Sequence, residues 1–400
     1  MKNSSFLKKK IIKKYNMESK FNRKIKLLRV VTQAEVVPWH LNNFIERSKD
    51  DYELFIVGNG VSRFKNQYPY VVFIDNEIVR KTSIFYDLIA LIKLIIICFK
   101  IKPEIIHSIM PKAGLLAPVA GLLSFVPIRI HTFTGQVWAT KEGFSRKFYK
   151  FIDKLIFNTA TSCLTDSPSQ SNFLADNGFL VKGKPIEYIG KGSLSGVNLD
   201  VFDVDLVKKR NALRSELGID ENDFVYVFLA RKSIVKGIKE LIESFAKVAH
   251  LPNVKLLFIG PDESNGYLDV LLAEHQNISS KIINLDIVKN HERYLAVSDV
   301  LCLPSSSEGF GTIVIEAAAL EVPSIGFDIV GLSDSIENGY SGVLVPLKDT
   351  DKFSETMIKF YEDKEYLQRL KSNARERVIK YFSADVIYSL QNKFYKSLLK

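Results

Sequence analysis

Apolar residues along this chain follow two alternating patterns. Short unbroken runs, of the kind shown by parallel strands buried on both faces, are separated by stretches whose apolar positions recur every three or four residues. The runs predict strands at Ile25 to Thr32, Leu54 to Gly58, Tyr70 to Ile74, Ile105 to His107, from Ile128, Ser162 to Thr165 and Pro185 to Ile189. They resume at Phe224 to Ala230, Val254 to Gly260, Lys281 to Leu285, Asp299 to Leu303, Pro323 to Phe327 and Gly342 to Val345. The other stretches predict helices at Trp39 to Ser48, Thr82 to Phe99, Phe148 to Thr159, from Ser167-Pro168, at Ile238 to Ala249 and over residues 352–400. Strands alternating with helices specify an α/β architecture with parallel sheets.

The Ile238 to Ala249 stretch carries Leu241, Ile242, Phe245 and Val248 as its apolar positions. Thr82 to Phe99 is apolar nearly all round, but Asp87 and Lys93 interrupt it, which argues against a membrane span. A buried helix and a helix resting on a membrane surface both fit it. Between the two halves, Gly190 to Asn198 carries three glycines and permits a hinge.

At 400 residues the chain is long enough for two domains, and 46% apolar content lets each build a core. Cys98, Cys163 and Cys302 lie far apart in apolar stretches, which predicts buried thiols rather than a disulfide frame or metal site. Of the net charge of +10, residues 1–26 carry +9, from ten basic residues and one acid. The remainder is close to neutral, so a general nucleic-acid-binding surface is not expected. The basic segment lacks the apolar core of a signal peptide. It reads either as a solvated tail or as an element drawn to anionic lipid head groups, each basic residue near the surface contributing about 1 kcal/mol.

The most informative stretch is Pro304 to Ala319. A short strand is followed by a turn with Gly309 and Gly311, then a helix from Ile313 with Thr312 as its expected N-cap. Glycine lets a ligand approach the amides, and a helix N-terminus suits phosphate. Glu308 and Glu316 bracket the turn, eight positions apart. A ligand with phosphates for the amides and hydroxyls for the carboxylates fits, and a nucleotide sugar has both. A solvated strand–turn–helix would account for the glycines, but not for Glu316 amid Ile and Ala. Upstream, Arg231 ends a strand and Lys236-Gly237 opens a helix; two cations in such a turn can neutralise a leaving diphosphate.

The stretch from Glu308 to Glu316, with Arg231 and Lys236-Gly237, resembles the Glu-x7-Glu and Arg/Lys motifs of the retaining family 4 glycosyltransferases. The resemblance implies a GT-B fold: two Rossmann-like domains facing across a cleft, with a C-terminal helix returning to the first. It places a basic tail at 1–24, an acceptor domain at 25–195, a nucleotide-sugar domain at 196–380 and the returning helix at 381–400. It implies that Glu308 holds the donor sugar, Glu316 the ribose, and Arg231, Lys236 and the amides of Gly309, Phe310, Gly311 and Thr312 the diphosphate, with no metal and no cofactor. Asp203-Val204-Asp205 is not a metal motif, since no strand precedes it; it reads as the acidic first turn of a helix.

His131-Thr132-Phe133-Thr134-Gly135-Gln136-Val137-Trp138 resembles members of that family that build bacterial surface polysaccharides and lipid-linked glycans. There the matching histidine lies against the donor sugar; a satisfied structural histidine is the other reading of His131. Lys112, at the mouth of a helix, reads either as a contact for an anionic acceptor or as a solvated lysine. Glu35 lies in the first strand's loop, which lacks the family's glycines and is placed on the acceptor side. The implied reaction moves a hexose or N-acetylhexosamine, UDP-linked, to a polyprenyl-diphosphate-linked saccharide at the inner face of the cytoplasmic membrane. A nucleotide-sugar 2-epimerase and a non-catalytic nucleotide-sugar-binding component remain as alternatives.

Overall fold

The computed structural model describes residues 23–79, 83–180 and 183–399. Nearly all of the basic tail, and Thr82, lie outside the described residues. The chain divides into two compact units, one running to His131 and including Thr159–Thr161, the other comprising Thr132–Asn158 and everything from Ser162.

The first unit holds β1 (Ile25–Gln33), β2 (Tyr52–Asn59), β3 (Val72–Asp75), β4 (Ile105–Ile109) and most of β5 (Ile128–Phe133), in the order β3-β2-β1-β4-β5. β1 pairs in parallel with β2 and β4, in a register that sets Leu28 opposite both Phe55 and Ile106. Leu27, Leu28, Val30 and Val31 are all buried, because a central parallel strand is covered on both faces. One of its faces is covered by the helix Ile84–Ile101 through Ala90, Leu94 and Cys98, four residues apart. The opposite side of that helix leaves Ile84, Phe85, Leu88, Ile92, Ile96 and Phe99 exposed. The helix is therefore only half core. No described helix is long and apolar enough to cross a membrane.

The second unit holds the parallel pair β6 (Ser162–Thr165) and β7 (Ile186–Tyr188). It also holds a six-stranded parallel sheet of β8 (Phe224–Leu229), β9 (Val254–Ile259), β10 (Ile282–Leu285), β11 (Val300–Leu303), β12 (Ser324–Phe327) and β13 (Gly342–Val345). The order is β10-β9-β8-β11-β12-β13. The chain thus winds outward from β8 in one direction, returns to β11, and winds outward in the other. The loops after β8 and β11 leave the sheet at this reversal, where α/β sheets open a crevice. The helix Ile238–Val248 buries Leu241, Ile242, Phe245 and Val248 as its pattern predicts.

The predicted elements are present with shifted ends. Trp39 to Ser48 is split into a wide π-turn, Val37–Leu41, and a short α-helix, Asn42–Arg47; Pro38, which has no N–H to donate, sits in the first turn. The helix predicted from Phe148 begins earlier, at Gly143. Residues 350–398 form three helices, Thr350–Glu362, Lys364–Tyr381 and Ala384–Leu398. The last is tied to the 194–197 segment: Gln391 Nε2 donates to the Leu194 carbonyl, and the Ala384 amide to that of Val197. All three cysteines are free and buried.

Candidate functional site

The turn after β11 is anchored to the turn after β8. The Ser306 amide and hydroxyl both donate to the Val235 carbonyl, at 2.9 and 3.1 Å. This brings Lys236, in the one-turn 3-10 helix Ile234–Lys236, onto the second turn. Its ammonium lies 2.6 Å from Glu308 Oε1, with both side chains largely withdrawn from solvent. Arg231 lies at the open side of the β8 turn and pairs with Glu263 at 2.6 Å, both about half exposed. Lys232 does not belong to this set. It is buried and donates at 2.6 Å to Asn284 Oδ1 and the Leu285 carbonyl, so it ties strand ends together.

Gly311, in the left-handed region at φ +76°, is the N-cap of the helix Thr312–Ala319. Thr312, expected as the cap, is instead the first helical residue, since the sharp reversal after Phe310 needs the left-handed conformation that glycine adopts without cost. Phe310 is 3% exposed and packs on Phe382, which pins the turn to the core. What this segment offers a ligand is therefore backbone: the first-turn N–H groups that no helix can pair internally.

Glu316 sits one turn into that helix and meets His291 Nε2 at 3.1 Å, from the start of the helix His291–Ala296. Burial works against charge on His291, but the hydrogen bond and charge of Glu316 outweigh it, so its pKa is raised. Glu316 is thus an acceptor whose partner holds its proton more tightly than a free imidazole, and a fifth of its side chain stays exposed.

Asp166 and Gln170, ahead of and within the helix Pro168–Asp176, also reach this turn, while Ser169 reaches the 331–334 segment. Gln170 accepts from the Gly135 amide at 3.1 Å and donates to the Gly309 carbonyl at 2.8 Å. Ser169 accepts from the Gly331 amide at 2.8 Å, and its own amide donates to Asp334 Oδ2 at 2.9 Å. Asp166 lies against Gly309, where a Cβ added to the glycine would come 2.3 Å from Asp166 Oδ2. None of Asp166, Ser169, Gln170, His291 or Glu263 was singled out from the sequence. Ser167-Pro168-Ser169-Gln170 reads only as a helix start, and nothing local connects it to a turn some 140 residues away.

The first unit carries the other three expected residues. His131 is 1% exposed; its Nδ1 lies 2.9 Å from Ser108 Oγ, and its ring packs against Gly114. Burial pushes its pKa down to about 3, so it is a neutral imidazole throughout the working range. Lys112 is not a solvated lysine: it pairs with Asp87 at 2.6 Å, both largely buried. Glu35 pairs with Arg63 at 2.9 Å and is exposed. Within that unit the three are held by separate partners. Asp203 caps the helix Val204–Lys208, accepting from the Asp205 amide, as a helix start would.

Residues 209–377 match the family model for glycosyl transferases group 1. The chain is 29% identical over 383 residues to the capsular polysaccharide biosynthesis glycosyltransferase CapM of Staphylococcus aureus, covering 94% of this chain and 98% of that protein. It is 25% identical over 308 residues to the Escherichia coli UDP-Gal:alpha-D-GlcNAc-diphosphoundecaprenol alpha-1,3-galactosyltransferase, covering 76% and 78%. The fold is similar to that of Anabaena Alr3699/HepE, solved in complex with UDP and glucose, with a TM-score of 0.78 at 16% identity over 93% of this chain and 100% of that one.

Proposed function

We propose that the chain is a GT-B glycosyltransferase of the family 4 type and that it moves a hexose or N-acetylhexosamine from a UDP-sugar to a hydroxyl of a polyprenyl-diphosphate-linked saccharide, in the assembly of a bacterial surface polysaccharide. The observation that carries this reading is the pairing of Lys236 with Glu308 across two stitched turns, with Glu316 on the helix that follows. Cations and helix amides suit the diphosphate. The two carboxylates suit hydroxyls, Glu308 those of the sugar and Glu316 those of the ribose. The relatives' names, capsule synthesis and a diphosphoundecaprenol acceptor, support the choice of acceptor class.

In the proposed step the bond from the anomeric carbon to the β-phosphate oxygen breaks while the acceptor oxygen bonds to the same face of the sugar. The acceptor's proton passes to the departing phosphate. Arg231, Lys236 and the Gly309–Thr312 amides take up the developing negative charge, and no metal or protein base is assigned. His131 enters only as a neutral hydrogen-bonding group that orients the sugar. Lys112 and Glu35 are assigned to the acceptor, within a domain division at residues 195 and 196. Retention follows the resemblance.

The protein would work at the inner face of the cytoplasmic membrane, held there by the exposed apolar side of Ile84–Ile101 and by the basic tail. The helix Gly143–Thr159 adds a stripe of exposed Phe144, Phe148, Phe151 and Leu155 beside Lys147 and Lys154, a composition that suits an anionic lipid interface.

A thermal-shift screen of sugar nucleotides, followed by incubation of the best stabiliser with a polyprenyl-diphosphate saccharide and NMR of the product anomer, tests the reading. Stabilisation by a UDP-sugar and an axial product linkage from an axial donor support it. A nucleotide sugar isomerised in the absence of acceptor would replace it with the 2-epimerase reading.

A further inference from the structure

Asp166 is the most deeply withdrawn carboxyl near the donor turn. It is 5% exposed, and its Oδ1 is buried without a hydrogen-bond partner among the described residues. Its Oδ2 and the Thr134 carbonyl crowd Gly309 so closely that no Cβ fits there. Its own carbonyl accepts from the Ser193 amide at 2.7 Å, which fixes the backbone that carries it. Four residues on, Gln170 bonds the Gly309 carbonyl and the Gly135 amide. The carboxyl and the amide therefore bear on the same glycine, next to Glu308.

We propose that Asp166 is a positioning residue for the donor turn, holding Gly309 and Glu308 in their bound geometry together with Gln170. This rests on the glycosyltransferase reading above, in which Glu308 meets the donor sugar. Two carboxylates face Asp166, Glu308 with its partner Lys236 and Asp334, whose backbone carbonyl accepts from Arg377. Burial first, then the charges of Glu308 and Asp334, push the Asp166 pKa well up. In its neutral form the carboxyl sits against Gly309 without repelling Glu308 and carries one O–H to donate. Once ionised, it adds a third negative charge to a site with little water to screen it. The turn then loosens, and Glu308 moves away from the sugar hydroxyls.

The test is the donor KM as a function of pH, for wild type, Asp166→Asn and Gln170→Ala, with acceptor saturating. For wild type, KM should rise with pH by about tenfold as Asp166 ionises, the worth of one pKa unit of coupling, with kcat changing less. Asp166→Asn cannot ionise, so its KM should stay flat over the same range. Gln170→Ala should raise donor KM by about tenfold at neutral pH, the loss of one to two hydrogen bonds, and leave acceptor KM unchanged. Coincident pH profiles for wild type and Asp166→Asn would overturn the proposal. Were Asp166→Asn not to fold, an unaltered donor KM in Gln170→Ala would overturn it equally. If wild type neither binds nor turns over any sugar nucleotide, it is the glycosyltransferase reading that has failed, and the two results are told apart by UDP titration of wild type.

Discussion

The Lys236 ammonium rests 2.6 Å from the Glu308 carboxylate, so a cation assigned to the diphosphate and an acid assigned to the sugar neutralise each other. A partly buried pair of this kind is costly to break by removing one partner and cheap to exchange for another. In the proposed reaction a donor diphosphate would offer that exchange: its oxygens would take over the ammonium and free Glu308 to accept from sugar hydroxyls, so that donor binding would arm the carboxylate. Lys236→Ala and Glu308→Ala should each lower kcat/KM for the donor by about a hundredfold or more. The double variant should lose far less than the product of the two, because the residues act as a unit. Losses that multiply in a steady-state double-mutant cycle would show that the two groups act separately.

His291 and Glu316 make a second pair, and this one has a consequence for pH. The raised pKa of His291 means that the folded protein holds its proton more tightly than the unfolded chain. The stabilising contribution is therefore fully present below the ordinary imidazole range and is lost as pH rises through the folded value. Melting curves across that window should show wild type losing more stability than His291→Gln, the two converging at alkaline pH. If Glu316 holds the ribose as proposed, the same substitution should weaken UDP binding modestly, since Glu316 would lose the partner that orients it. Parallel melting profiles for the two proteins would remove the pair from this account.

What could be read in advance divides by distance along the chain. The buried face of Ile238–Val248 was legible because a 3.6-residue period needs only local information, and Leu241, Ile242, Phe245 and Val248 are all fully buried. Arg231, Lys236, Glu308 and Glu316 could be singled out because two short turns carry them at fixed spacing, and the structure brings Lys236 onto Glu308. Their partners could not. His291 lies 25 residues from Glu316, and Gln170 lies 139 residues from Gly309. Such contacts are set by how separate helices pack around the sheet, and no periodicity reports them. Lys112 shows the same limit: its position at a helix start was visible, but its ion pair with Asp87 depends on the packing of two helices. Local chemistry misled once, at Thr312, where a hydroxyl residue before an apolar run suggested a cap. The left-handed Gly311 took that place, because the turn must also deliver Phe310 to the core.

Trp138 donates to Asp153 Oδ2 at 2.8 Å deep within the second unit, its ring stacked on Phe173 and Phe179. Burial pushes the Asp153 pKa up to about 7, with the Trp138 hydrogen bond opposing. The folded state therefore prefers the neutral acid, and ionisation opposes folding. Stability should fall as pH rises from the ordinary carboxylate range to about 7 and level off above it, for a total on the order of 4 kcal/mol. Asp153→Asn keeps an acceptor for the indole N–H and cannot ionise. Its denaturation midpoint should equal or exceed that of wild type at neutral pH, and the decline between mildly acid and neutral pH should shrink. An Asn variant less stable than wild type at every pH would mean that Asp153 is ionised in the fold.

The helix Ile84–Ile101 spends only one stripe on the core. Ala90, Leu94 and Cys98 face the sheet, while Leu88, Ile92, Ile96 and Phe99 repeat on the outside at the same period. A helix apolar on both sides needs a second apolar phase, and the proposed acceptor, anchored by a polyprenyl chain, resides in one. Replacing Leu88, Ile92, Ile96 and Phe99 together by serine removes the outer stripe and leaves the buried one intact. Sedimentation with vesicles containing anionic lipid should then fall by about tenfold or more, since each buried methylene is worth about 0.8 kcal/mol. Turnover of a water-soluble, short-chain acceptor should be retained. Deleting residues 1–22 should weaken vesicle binding in a salt-dependent way, because the tail's contribution is charge rather than apolar area. If the serine variant sediments as wild type does, the outer stripe is not the lipid-facing surface, and the anchoring role falls to Phe144, Phe148 and Phe151 with the tail.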